Sequence, residues 1–199
     1  AAGNIGHHVS SMKILVADGR VVDCSRTQNA DLFHATLGGM GLTGVVLEVE
    51  FTMNRIESRW IWQETRRIND VDEFEEALVE AAPKWPFTMG WLDCFSTGKT
   101  FGRGLMMVGH WADASEAPKG EPPAKRKSKV SFDFPEIALN PLTIRAFNES
   151  VYRSQLKRVS SGFTTPDKYW YPLDSVHEWY RMYGKRGFTQ YQFVLPRTA

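Results

Sequence analysis

Residues 12–25 alternate apolar and polar positions around Asp18-Gly19. Ile14 and Val16 interleave with Lys13 and Leu15, and Arg20-Val21-Val22 brings the chain back. An Asp-Gly pair between such runs predicts a tight hairpin. Asn29 is placed to cap a short helix over 30–37, which Gly38-Gly39 stops. Residues 43–53 have a period of two, so a strand is predicted with Val45, Leu47, Val49, Phe51 and Met53 on its core face. Glu48, Glu50 and Thr52 take the other face, and Val46 is the one apolar residue among them. Such a Val is either a tolerated surface residue or the place where a ligand ring lies on the strand.

After a crossover at 54–60, residues 59–67 read as a strand. Asn69 caps a helix carrying Val71, Phe74 and Leu78 at helical spacing. Residues 87–94 and 103–111 read as two further strands. A second domain is therefore expected from residue 55, after a first domain over 1–54. Residues 113–129 break the pattern: Pro118, Gly120, Pro122 and Pro123 precede Lys125, Arg126, Lys127 and Lys129. They predict a flexible insert, either simply solvated or in electrostatic contact with a phosphate or an anionic membrane surface. A helical stretch follows over 142–156. Tyr169-Trp170-Tyr171-Pro172 reads as a short aromatic strand. Asp174 or Ser175 then caps a helix through Tyr183, closed by Gly184, and 188–195 is a last strand. Strands with intervening helices predict an α+β fold, an antiparallel sheet with helices covering one face.

Composition narrows the chemistry. The 199 residues include 24 Lys and Arg against 23 Asp and Glu, which gives no global case for nucleic acid. Aromatics make up 13%, which suits a ring-shaped ligand but equally an aromatic core. Cys24 and Cys94 alone exclude a disulfide framework and a Cys-based zinc site. There is no apolar run of transmembrane length and no signal-peptide pattern. The expected location is cytoplasmic or periplasmic, with at most peripheral membrane contact. The chain starts at Ala1 without an initiating Met and closes directly after a strand-like run, so a piece of a longer protein is expected.

On the last strand, Gln190 and Gln192 share one face, with Tyr191 and Phe193 on the other. Two adjacent amides suit a polyhydroxyl ligand, and they equally suit a solvent-facing edge strand. The Gly-rich run 38–44 precedes a strand rather than following one, and it lacks the P-loop Lys, so it is not a dinucleotide fingerprint. It is a helix stop and turn, or a place where backbone closely approaches a cofactor. His7, His8, His34, His110 and His177 show no familiar metal-ligand spacing, so no metal site is expected. No Ser sits in a nucleophile-elbow context.

Gly6-His7-His8-Val9-Ser10-Ser11-Met12, Ala17-Asp18-Gly19, Asp31-Leu32-Phe33 and the run from Gly38 to Val46 together resemble the end of the FAD-binding (PCMH-type) domain of the vanillyl-alcohol-oxidase superfamily. Tyr171-Pro172-Leu173-Asp174, Glu178-Trp179, Tyr183-Gly184 and the run from Gly187 to Pro196 are similar to the decaprenylphosphoryl-ribose oxidase group within it. The resemblance runs in order across the chain and is weakest over 113–129.

It implies FAD held between a cofactor domain and a substrate domain. Hydride moves from a sugar carbon to the flavin, and a base takes the hydroxyl proton. The implied substrate is a polyprenyl-phosphate ribose used in forming cell-wall arabinose, with the keto product passing to a partner reductase. The resemblance places Val46 and Gly44 at the cofactor. It places Gln190, Gln192, Trp170, Trp91 and Arg181 at the substrate, with Arg181 facing the phosphate. Trp170 replaces a family Tyr, so it offers an indole N–H in place of a hydroxyl. The catalytic acid/base groups are expected outside this chain. The alternatives are a flavin oxidase of a free sugar, alditol or aldonolactone, and a non-catalytic domain that binds carbohydrate or a partner protein.

Overall fold

The computed structural model describes residues 4–123, 128–187 and 189. The chain forms two compact units, residues 1–56 and 57–199. Among the described residues no helix is long and apolar enough to cross a membrane.

The first unit is a three-stranded sheet with one helix. Strands β1 (Val9–Leu15) and β2 (Val21–Ser25) form the predicted hairpin, with Met12 opposite Cys24 and Leu15 opposite Val21. Gly19 takes a positive φ of 84° in the turn, and Asp18 accepts from the Arg20 backbone N–H. Helix α1 (Ala30–Thr36) follows. Asn29 does not cap it: it is left-handed, and its side-chain amide donates to the Asp23 carbonyl instead. Strand β3 (Val45–Phe51) pairs with β1, giving the order β2-β1-β3. The core is Val9, Met12, Ile14, Cys24 and Phe33.

Two register shifts in the β1–β3 ladder change the expected faces. Ser10 is an extra residue on β1, and Leu47 is an extra residue on β3. Residues directly opposite in an antiparallel ladder point to the same side. The first bulge therefore turns Val9 onto the Met12 and Ile14 side, where it is buried. The second puts Val46 opposite Ile14, while Val49 lies opposite Met12. Val46 thus shares the side of the core and does not stand among Glu48, Glu50 and Thr52, as strict alternation predicts. The residues expected on the core face of β3 are all substantially exposed, because β3 is the sheet edge and the core is built from β1, β2 and α1.

The second unit holds a four-stranded antiparallel sheet built from β4 (Ile61–Ile68), β5 (Phe87–Leu92), β6 (Gly104–Trp111) and β8 (Val159–Thr164). Their order is β5-β6-β4-β8, so the molecule is α+β with antiparallel main sheets. A two-residue strand, β7 (Ser128–Lys129), precedes β8 in the chain. Helix α2 (Val71–Ala81) starts at Asp70, whose carboxylate accepts from the Glu73 N–H. The neighbouring Asn69, expected as the cap, instead donates its amide to Glu73. Helix α2 buries Phe74 and Ala81 against Ile68, Met106 and Val108. The Phe74 ring lies so close to Gly90 that a Cβ there would stand 2.2 Å from it.

Helix α3 (Pro141–Ser154) opens with a capping box between Asn140 and Thr143. The aromatic segment is not a strand. Thr165 caps a short helix, α4 (Pro166–Trp170), that contains Tyr169 and Trp170. Instead of one helix from Asp174, strand β9 (Val176–His177) pairs in parallel with β7, and 3₁₀ turns over Trp179–Arg186 are interrupted at Gly184, whose φ is 58° and where the helix was expected to close. In the 113–129 insert, Arg59 pairs with Glu121, and Trp60 donates to the Gly120 carbonyl. Lys125, Arg126 and Lys127 lie outside the described residues. Lys129 pairs with Glu178 at 2.8 Å.

Truncating Phe74 to Ala should cost about 3 kcal/mol of stability, as for other buried aromatics. Urea denaturation should show this, while Val79→Ala on the exposed side of the same helix should shift the midpoint far less.

Candidate functional site

Ladder parity divides the sheet of the second unit into two faces. Ile68, Met106 and Val108 point to the side that α2 buries. The opposite side carries Phe87, Met89 and Trp91 from β5, Leu105, Met107 and Gly109 from β6, Gln63 and Thr65 from β4, and Ser160 and Gly162 from β8. The side chains of this second face are half-buried, and Gly162 is exposed. One end is closed by α4. Tyr169 is 2% exposed, and its ring lies 3.3 Å from where a Gly109 Cβ would stand. Trp170 meets Phe87 edge-on at 4.9 Å. Trp170 and Trp91 therefore belong to the same face, their anchor points on β5 about 13 Å apart at the strand rise. Burial pushes the Tyr169 hydroxyl up to about 12, so it stays protonated at neutral pH and acts as a wall.

The other end is held by charge. Asp93, 2% exposed, accepts from Arg103 at 3.0 Å and from the Asn148 amide at 2.7 Å. Arg103 also pairs with Glu149 and lies over the Tyr152 ring. Burial raises the Asp93 carboxyl. The Asn148 amide, the Arg103 guanidinium and the Phe95 N–H together outweigh burial and leave it below the ordinary carboxylate value. The network ties α3 to the ends of β5 and β6. What remains between α3 and α4 is a face on which β4 sets Gln63 and Thr65 among apolar side chains, with Ser160 beside Thr65 on β8 and Arg67 at the α3 end, its guanidinium over the Tyr152 ring.

The other expected residues fall as follows. A Cβ on Gly44 would stand 2.4 Å from the Leu15 carbonyl oxygen. The close approach that this glycine permits is to β1. Arg181 lies 2.7 Å from Glu178 Oε2 and 3.7 Å from Asp133, and it donates to the Ser131 carbonyl. A phosphate would compete with those partners for its charge. Gln190 and Gln192 lie outside the described residues. Among the described residues no three His, Cys, Asp or Glu side chains come together in a way that could hold a metal ion.

No protein-family model matches the chain. Over its whole length it is 30% identical to a decaprenylphosphoryl-β-D-ribose oxidase of Mycolicibacterium smegmatis, and it spans 45% of that protein. A Streptomyces coelicolor protein of the mprA 5′ region, itself uncharacterized, is 28% identical over 70% of this chain and 36% of its own length. Cytokinin dehydrogenase 9 of Oryza sativa subsp. japonica is 30% identical over 46% of this chain and 18% of its own length. The chain thus spans less than half the length of these curated relatives, and the two that carry an activity name are oxidoreductases. The chain is thus similar to an oxidase over its whole length and to a dehydrogenase over about half of it. The resemblance read from the sequence motifs is borne out across the full chain.

This likeness raises the question of fit to FAD. The Gly-rich turn leaves Met40 and Leu42 about nine-tenths exposed, and Val45 and Val46 beyond it are 61% and 44% exposed. This is apolar surface in one short stretch, on a turn with positive φ at Met40 and Gly41. Its chemistry fits the edge of a flat heteroaromatic ring.

The depressed Asp93 carboxyl sets a pH dependence. Its folded value lies below the unfolded value of about 3.9. Its contribution is therefore complete above about pH 4 and is lost as pH falls towards the folded value. Between about pH 5 and pH 3 the urea midpoint should drop more steeply in the wild type than in Asp93→Asn. Equal slopes would remove Asp93 as a source of acid sensitivity.

Proposed function

We propose that this chain supplies part of the FAD-binding, PCMH-type domain and one wall of the substrate domain of an oxidoreductase that converts a sugar hydroxyl to a ketone. The boundary between the two domains is placed near residue 55. The substrate is a polyprenyl-phosphate ribose, as the name of the M. smegmatis relative states for that protein. The whole-chain likeness to that relative is the observation that carries the reading. The half-buried face with Trp91, Trp170 and Gln63 supports it, since aromatic faces and amides are what a ring with several hydroxyls requires.

In this reading FAD, when bound, accepts the hydride. Val46 and the adjoining turn lie against its adenosine end, with Gly44 keeping the turn close to β1. Trp91 and Trp170 bound the sugar, and Gln190 and Gln192 bind its hydroxyls. Arg181 turns from Glu178 and Asp133 to the phosphate. The acid/base group is supplied from outside this chain, and the ketone passes to a separate reductase.

The test uses the full-length flavin-loaded protein. Polyprenylphosphoryl ribose should bleach the flavin absorbance, and free pentoses and alditols should not. Bleaching only by the free sugars would contradict the substrate. Absence of flavin after reconstitution would contradict the enzyme reading altogether. Separately, Val46→Asp should lower the FAD retained on gel filtration several-fold, because it sets a charge against an apolar ring. Unchanged retention would remove Val46 from the cofactor site.

A further inference from the structure

Across the middle of the open face runs one rung of the sheet: Gly162, Gln63, Gly109 and Phe87, from β8 to β5. The two glycines flank Gln63, and they differ. At Gly109 a Cβ would meet the Trp62 carbonyl at 2.7 Å and Tyr169 at 3.3 Å, so that side is filled by protein. Among the described residues a Cβ at Gly162 would meet nothing within 4 Å, and its φ lies outside the positive range. Neither backbone geometry nor the packing of the described residues requires glycine there. Among the described residues the result is an open trough beside Gln63.

The polar groups on this trough are arranged for a ligand. Gln63 Nε2 donates to Thr65 Oγ1 at 2.7 Å, which fixes the carboxamide. That bond leaves the Gln63 carbonyl oxygen as an acceptor and the Thr65 hydroxyl as a donor. Both residues are half-buried. Beyond Thr65, Gln155 bonds Ser160 at 2.8 Å and closes the end of the trough. Met107 lies beside Thr65 on β6, with Met89 next on β5, and both are apolar. An acceptor and a donor held side by side, with Met107 and Met89 next to them, match the hydroxyls of a sugar.

We propose that Gln63 and Thr65, with the space over Gly162, form a sugar-hydroxyl subsite that sets substrate specificity. The proposal rests on the reading of this chain as part of a sugar-oxidising flavoenzyme. It predicts that the site binds better when a hydroxyl reaches Gln63, and that filling the trough excludes the substrate without disturbing the fold.

The experiment compares wild type, Gln63→Leu and Gly162→Val in the full-length flavin-loaded protein. Flavin bleaching is titrated with polyprenylphosphoryl ribose, free pentose and pentitol, and flavin content and Tm are measured alongside. Gln63→Leu should raise the half-saturating concentration about tenfold, the loss of roughly one hydrogen bond. Gly162→Val should raise it at least as much. It should leave flavin content unchanged and Tm unchanged or higher, since a β-branched residue suits a strand. Wild-type half-saturation in Gly162→Val, with bleaching intact, would overturn the subsite and leave the enzyme reading standing. Failure of all three probes to bleach the wild type would overturn the enzyme reading, and the subsite with it.

Discussion

The contact between Phe74 and Gly90 sets the rest of the second unit. A ring seated on a strand glycine allows α2 to lie close against the sheet, and it buries Ile68, Met106 and Val108 beneath it. Any side chain at position 90 would have to displace the Phe74 ring. Once one face is committed to the core in this way, the other face needs no continuous apolar cover. It can carry Gln63, Thr65 and a bare Gly162 on its central and outer strands without loss of the core.

That second face is framed by two different interactions. At one end Tyr169 fills the space over Gly109, an apolar closure that also keeps its hydroxyl protonated. At the other end Asp93, Arg103, Asn148 and Glu149 form a paired and hydrogen-bonded cluster. Buried charge is tolerated there because each member has partners. The face between is therefore bounded by rigid ends, a sound basis for positioning a ligand.

The legible parts of the sequence were those where one period held. The β1–β2 hairpin, β4, β5, β6 and α2 all follow from alternation or helical spacing. Reading failed where a single residue broke the period. The extra Leu47 moved Val46 to the core side, and pattern alone carries no sign of a bulge without a glycine. Strand β8 was missed because Val-Ser-Ser-Gly-Phe-Thr has almost no apolar face, and the same property makes it part of the open trough. Thr165-Pro166 was a readable helix start that the aromatic run obscured. Asn69 and Asp70 are both good caps, and only geometry decides between them. Of the candidate site, Trp91 and Trp170 were named from family resemblance alone, with no pattern to say which face they take, and Gln63 became visible only through its partners across the sheet.

On the proposed function, substrate lies on the sheet face turned away from α2. The decisive test is a crystal structure of the full-length flavoprotein with a non-oxidisable polyprenylphosphoryl pentose analogue. Sugar density should lie against Trp91, with a hydroxyl in hydrogen-bond reach of Gln63. Sugar density elsewhere, with the face between α3 and α4 filled by other parts of the protein, would contradict it.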